Sequence, residues 1–331
     1  MRTKRFIFSI IALAIAMTAG AQNEMSTAIL QSGETVTMFT GINALINANT
    51  AANDGDVITL SAGKFNGTTI SKSVSIYGAG FETDATIGTD ITEVYGLTIG
   101  KEGSTLSGVH IEGMLISGTF NVGGTNANAP LAGLQVVKVK MNSSQETRIF
   151  SDMVNALFSQ CIFLYVLRGY PDANNVQGTI AFNNCYFVSD LSYFKEGCSV
   201  KLDHCIYAGR YFACKSSNIS NSILFDSPAN GISPQYYNIV ATFDNYWNCE
   251  IFYKVSKDQI FSDVVNDYSS YTPERTFEIQ QPDVWKATDG TEIGIRGGDG
   301  WSKAPSTPVL KNLRTRVDGA TLQVDYQAVP R

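Results

Sequence analysis

Basic and aromatic side chains recur at similar distances after three cysteines. Arg168 and Tyr170 follow Cys161, while Asp190, Tyr193, Phe194 and Lys195 follow Cys185. Arg210, Tyr211, Phe212 and Lys215 follow Cys205 in the same way. Aromatic faces stack on sugar rings and guanidinium groups pair with carboxylates, so a side carrying this set suits an acidic glycan. The same residues admit a plainer arrangement, with Phe194 and Phe212 pointing inward and Asp190 pairing with Arg210 at the surface. A lyase or hydrolase built on this side would use Arg210 or Lys195 with Asp190 or Asp172.

Other chemistry finds less support. Glycoside hydrolysis needs two carboxylates at a set separation. Asp203 and Asp244 would share a column two coils apart, about 10 Å by strand spacing, with Ser220 between them, which is too loose to name a pair. The sequence has two histidines, His110 and His204, and its six cysteines lack Cys-x-x-Cys spacing, so no metal site is expected. No cofactor is called for, and calcium has no motif to hold it. A net charge of −6 and a pI near 5.0 offer no basic field to a nucleic acid backbone.

The elements that must position the basic and aromatic side are set by the cysteines, which mark a repeat. Phe158-Ser159-Gln160-Cys161-Ile162-Phe163, Phe182-Asn183-Asn184-Cys185-Tyr186-Phe187 and Leu202-Asp203-His204-Cys205-Ile206-Tyr207 share one pattern, and Ile219-Ser220-Asn221-Ser222-Ile223-Leu224 is a fourth copy. With the cysteine or its substitute as position zero, large apolar residues occupy −3 and +2, and polar turn-formers occupy −2 and −1. That reads as strand, corner, strand. Val74, Leu97, Met114, Val139 and Tyr246 extend the zero column, with a mean spacing of about 21.5 residues. Irregular spacing argues against helical repeats and fits turns of varying length between fixed strands. The pattern predicts an all-β chain, a single-stranded right-handed parallel β-helix (solenoid). A β-sandwich would explain the alternation but not the shared column.

Stacking in register would place the β-carbons of Cys161, Cys185 and Cys205 about 4.8 Å apart, beyond disulfide reach, so these three with Ser222 are expected to form a buried ladder. Cys198 and Cys214 also fall at neighbouring places, and a bridge between them stays open. A short amphipathic helix over Ile42–Ala48, with Ile42, Leu45 and Ile46 on one face, is expected to plug the N-terminal end. The organisation expected is therefore residues 22–56 as N-terminal segment and capping helix and 57–250 as the repeat. Residues 251–300 follow as terminal coil and cap. Residues 301–331 form a tail containing Pro305 and Pro308 with one strand, Thr321–Tyr326.

Residues 1–21 look like an export signal: Arg2, Lys4 and Arg5 precede the apolar run Phe6–Ala16 and the small-x-small site Ala19-Gly20-Ala21. The run is short for a bilayer span, so the expected product has no transmembrane segment after signal removal and is secreted, periplasmic or at the cell surface.

The stretches Asp54-Gly55-Asp56-Val57-Ile58-Thr59-Leu60-Ser61-Ala62-Gly63-Lys64-Phe65 and Ile70-Ser71-Lys72-Ser73-Val74-Ser75-Ile76-Tyr77-Gly78-Ala79-Gly80 resemble the opening coils of the pectin-lyase-like β-helix superfamily. Among its members the chain is most similar to uncharacterised secreted ones of gut bacteria. Asp289-Gly290-Thr291-Glu292-Ile293-Gly294-Ile295-Arg296-Gly297-Gly298 resembles a last coil of such proteins. The resemblance implies the fold over roughly residues 40–300 and leaves activity open, since that superfamily includes lyases, hydrolases, esterases and adhesins. The paired aspartates, His-Gly step and Arg-x-Lys step of polygalacturonase-like members are missing beyond the expected export signal, where Arg2-Thr3-Lys4 falls. Leu202-Asp203-His204 resembles a pectate lyase segment, but its neighbours Asn183-Asn184 and Ser220-Asn221 make Asp203 and His204 corner residues. The expected function is polysaccharide binding or processing without an identifiable catalytic set. The alternatives are a lyase or hydrolase on acidic glycans and a structural or adhesive surface element.

Overall fold

A computed structural model describes residues 26–125, 128–142, 146–169, 176–225, 235–245, 249–263, 270–306, 309–318 and 321–329; for 193, 195, 196, 215, 309–318 and 321–329 this covers the backbone alone. The expected export signal, Tyr170 and Asp172 lie outside the described residues, as do the side chains of Tyr193, Lys195 and Lys215.

The chain is nearly all-β, and most of its strands pair in parallel within one large sheet. Four ladders account for the pairing. The first runs through the inward residues Ile58, Ile76, Ile111, Val136, Phe158, Phe182, Leu202, Ile219 and Tyr236. The second runs through Ile116, Met141, Phe163, Phe187, Tyr207, Leu224 and Ala241. The third passes Leu97, Phe120, Thr147, Leu167, Leu191 and Phe212, and the fourth Leu106, Leu131, Met153, Gly178 and Cys198. Alternation sends every second side chain inward, where aromatic rings stack from rung to rung: Phe163 lies 4.7 Å from Phe187 at 4°, and Phe158 lies 5.1 Å from Phe182. Each such fully buried side chain contributes on the order of 1.5–3 kcal/mol.

Between the first and second ladders the chain turns at one left-handed residue per rung. Gly113, Lys138, Gln160, Asn184, His204, Asn221 and Asn238 have φ of 69°, 51°, 54°, 52°, 50°, 49° and 57°. Three of the seven are Asn and one is Gly, which tolerate this conformation with little penalty, so the −1 column is a corner as expected.

The zero column is Met114, Val139, Cys161, Cys185, Cys205, Ser222 and Ile239. Ser222 pairs with Ile239, because Asn238 supplies the corner seventeen places after Asn221; Tyr246, expected next in the column, lies outside the described residues. Ile76 pairs with Ile111 and so belongs at −3, which removes Val74 from the column. Leu97 pairs with Phe120 in the third ladder. Val94, Leu97 and Ile99 repeat the −3, 0, +2 spacing because Gly96, at φ 85°, makes the same strand–bend–strand at a different corner.

Two strands absent from the sequence expectation, Thr27–Ser32 and Thr35–Thr40, form an antiparallel hairpin whose first strand also pairs antiparallel with Val57–Leu60. The helix α1, Ala44–Ala51, packs beside them through Ala44, Leu45 and Ala48. Ile42 precedes the helix and is exposed, and Ile46 is half-buried, so the apolar face lies one step round from the expected one.

Residues 260–263 and 270–306 leave the ladders and lie along their side. Phe261, Phe277, Ile279, Trp285, Ile293 and Ile295 cover the outward residues Ile162, Tyr186, Ile206, Ile223 and Val240 of the second ladder. The segment expected as terminal coil is therefore a lateral strap, placed there because those outward residues are apolar and need a cover. Beyond it the tail is a two-stranded antiparallel hairpin, Val309–Asp318 with Thr321–Val329, where a single strand was expected.

Candidate ligand face

The outer side of the third ladder carries a continuous column, Thr69, Thr98, Asn121, Arg148, Arg168 and Ser192, each paired in register with the next. At one end the backbone bends over stacked glycines. An added Cβ on Gly67 would lie 2.2 Å from the Gly96 carbonyl oxygen, and one on Gly118 would lie 2.7 Å from the Gly96 nitrogen. The missing side chains let the rungs stack closely at this bend, and beside it lies a groove of about 720 Å³ whose lining includes Tyr95, Asn66, Thr98, Ser117 and Thr119. Tyr95 is 72% exposed. Asn66 is fixed by its Nδ2, which donates to Asn43 Oδ1 at 2.7 Å. The buried Ser117 Oγ has no hydrogen-bond partner among the described residues.

At the other end Arg168 Nη2 lies 2.8 Å from Glu146 Oε1, and Arg148 Nε lies 3.6 Å from the other oxygen of that carboxylate. One carboxylate thus meets two guanidiniums on adjacent rungs.

The residues expected after the next two cysteines do less as a group. Asp190 Oδ1 accepts from the backbone N–H of Arg210 at 2.8 Å and of Tyr211 at 2.9 Å, so it fixes the turn and makes no ion pair with the Arg210 side chain among the described contacts. Arg210 is exposed, Tyr211 is half-buried, and the Tyr211 carbonyl accepts from Tyr207 Oη at 2.6 Å. Phe194 and Phe212 are buried, which is the inward arrangement.

All six cysteines are free, Cys198 and Cys214 included. Cys198 pairs in register with Gly178, Cys214 with Phe194, and the register slips between Phe194 and Ser199. In the ladder each thiol donates to a carbonyl of the preceding rung: Cys161 to Val136 at 3.3 Å, Cys185 to Phe158 at 3.4 Å and Cys205 to Phe182 at 3.2 Å. Ser222 Oγ accepts from the Cys205 N–H at 3.0 Å. Burial pushes the Cys185 thiol well up, so Cys185 is a packing element and not a nucleophile.

A histidine–carboxylate pair escaped the sequence reading. His110 Nε2 lies 2.9 Å from Glu112 Oε2, its Nδ1 lies 3.1 Å from Gln135 Oε1, and the Tyr77 ring centre is 5.0 Å from its own. Both ring nitrogens are occupied, and Glu112 Oε1 accepts the Ser306 N–H, so the pair fastens the strap. The signal available was register: Ser75, His110 and Gln135 share a column.

Among the described residues no three His, Cys, Asp or Glu side chains gather as metal ligands, and no helix is long and apolar enough to cross a membrane. Comparison with protein-family models, with curated proteins and with solved structures finds no match to this chain.

Proposed function

We propose that this chain is an exported right-handed parallel β-helix that holds a polysaccharide against the outer side of its third ladder. The solenoid reading is supported by strands that pair in parallel with the strand about twenty residues on, over and over, with a turn of one left-handed residue at the shared corner. Right-handedness follows from the strong preference of parallel crossovers. The observation that carries ligand binding is Tyr95, which leaves most of its ring in solvent beside a groove lined by hydroxyls and amides, Thr69 and Thr98 of the third-ladder column among them. An exposed ring next to convergent polar groups is the combination a sugar face and its hydroxyls require.

A glycan array probed with the full chain and with Tyr95→Ala tests this reading. Binding to a restricted set of glycans that Tyr95→Ala weakens by about tenfold supports it. No binding anywhere on the array overturns it in favour of a structural or adhesive element.

A further inference from the structure

We infer that the Tyr95 groove takes an uncharged sugar, a neutral stretch of glycan, and that uronates gain nothing there. This rests on the polysaccharide reading above and names the chemistry of its site. Among the residues lining the groove no side chain is a carboxylate, an ammonium or a guanidinium; the polar ones are Asn66, Thr68, Thr69, Thr98, Ser117 and Thr119, with the phenol of Tyr95. The row below holds Lys64 and Glu93, whose charges meet at 3.5 Å and cancel. The guanidinium of Arg148 stands two rungs from Thr98, about 10 Å by strand spacing, which is a full screening length in physiological salt.

The polar atoms that want partners point to hydroxyl ligands. The floor is peptide backbone: the carbonyl oxygens of Tyr95 and Gly96 lie 2.3 Å and 2.2 Å from where a Gly67 Cβ would stand. Carbonyl oxygens accept from sugar hydroxyls and repel a carboxylate. Ser117, one of the lining residues, carries a buried Oγ with no hydrogen-bond partner among the described residues. A sugar hydroxyl, which donates and accepts, is the group that can pair with it. The volume of about 720 Å³ falls in the range of small-molecule sites, and the lining residues come from three successive rungs, 66–69, 95–98 and 117–119.

The test is calorimetric titration of the full chain, Tyr95→Ala and the remote control Lys201→Ala with cellohexaose, mannohexaose, xylohexaose and hexagalacturonate, each in low and in 300 mM salt. The expected result is binding of at least one neutral hexasaccharide with an affinity that salt leaves unchanged. Tyr95→Ala should weaken it about tenfold while Lys201→Ala leaves it unchanged. Binding of hexagalacturonate alone, abolished by salt and by Arg168→Ala, overturns the inference while the polysaccharide reading stands. Neutral binding that Tyr95→Ala leaves intact also overturns it. Failure of all four probes, together with an empty glycan array, overturns both.

Discussion

Asn184 and Gly297, 113 residues apart in sequence, meet at 2.6 Å: the Asn184 side chain donates from Nδ2 to the Gly297 carbonyl, and to that of Ile295 at 2.8 Å. The contact is one rung of a series. Asn238 Nδ2 donates to the Lys286 carbonyl, Asn221 Oδ1 accepts from the Thr288 N–H, His204 meets Thr291, Gln160 accepts from the Ser302 N–H and Lys138 donates to the Ala304 carbonyl. As the strap advances from 286 to 304, its partners step back from 238 to 138. The left-handed corner between the first and second ladders therefore also presents the side chain that fastens the strap.

Replacing Asn184 separates these two roles. Asn184→Gly keeps the backbone conformation and removes two buried hydrogen bonds, a loss of about 1–3 kcal/mol. Asn184→Ala adds the left-handed penalty of about 1–2 kcal/mol, so it should be the less stable of the two by that margin. Urea denaturation reads the total, and trypsin cleavage after Arg296 reads release of the strap. Equal stability of the two variants would mean that the corner carries no conformational cost.

The thiols make a second expectation. Burial pushes Cys198 up to about 12 and Cys185 and Cys214 well above their ordinary value, so none is a thiolate near neutrality. Ellman's reagent at pH 8 should find essentially no reactive thiol in the folded chain and six after denaturation without reductant. A denatured count below six would reveal a bridge and refute the all-thiol ladder.

The ladder was legible in sequence because its determinants are local: an apolar residue at −3, a turn-former at −1 and a small zero residue fall within six positions, and from Met114 to Ser222 that register is the one found. It misled at Leu97 because Gly96 builds the same local shape at another corner. The strap was not legible, since it binds through backbone carbonyls and N–H groups that leave no trace in residue type. Its receptors, Asn184 and Asn221, were read correctly as turn residues while their side chains do a second job. The groove was not legible either, because it lies at a bend where Gly67, Gly96 and Gly118 bring backbones together, a contact that residue type alone does not announce.

Acid should loosen the strap. Burial raises the Glu112 carboxyl, but hydrogen bonds from His110 and from Ser306 outweigh it and hold the pKa below the ordinary 4.5. Asp203 is likewise lowered, against burial, by His204, Ser220 and Asn221. A depressed carboxylate contributes stability above its unfolded pKa and loses it as pH falls through the folded value. Glu292, raised by burial, works the other way: its contribution is present in acid and fades as pH rises through its folded pKa. Two depressed groups against one raised group give a net loss below about pH 4. The buried Trp285 reports it, as a red shift in emission that Glu112→Gln diminishes. Unchanged emission and urea midpoint from pH 6 to pH 3 would refute the carboxylate fastening.

Gly67 ties the fold to the groove, and a pair of alanine variants measures that tie. A Cβ at Gly67 meets backbone oxygen at 2.2 Å, with no flexible side chain able to yield, so two rungs must separate at the bend. Overpacking of this kind costs about 1–3 kcal/mol. Gly103 is the control: its φ of +78° strains an alanine, but nothing lies within 4 Å of the added carbon. Gly103→Ala should therefore lose about 1–2 kcal/mol of stability and keep glycan affinity, because its strain stays local. Gly67→Ala should lose both, because the floor that accepts sugar hydroxyls is the backbone it displaces. Equal affinity in the two variants would place the ligand away from the glycine bend even with the stability ranking as expected.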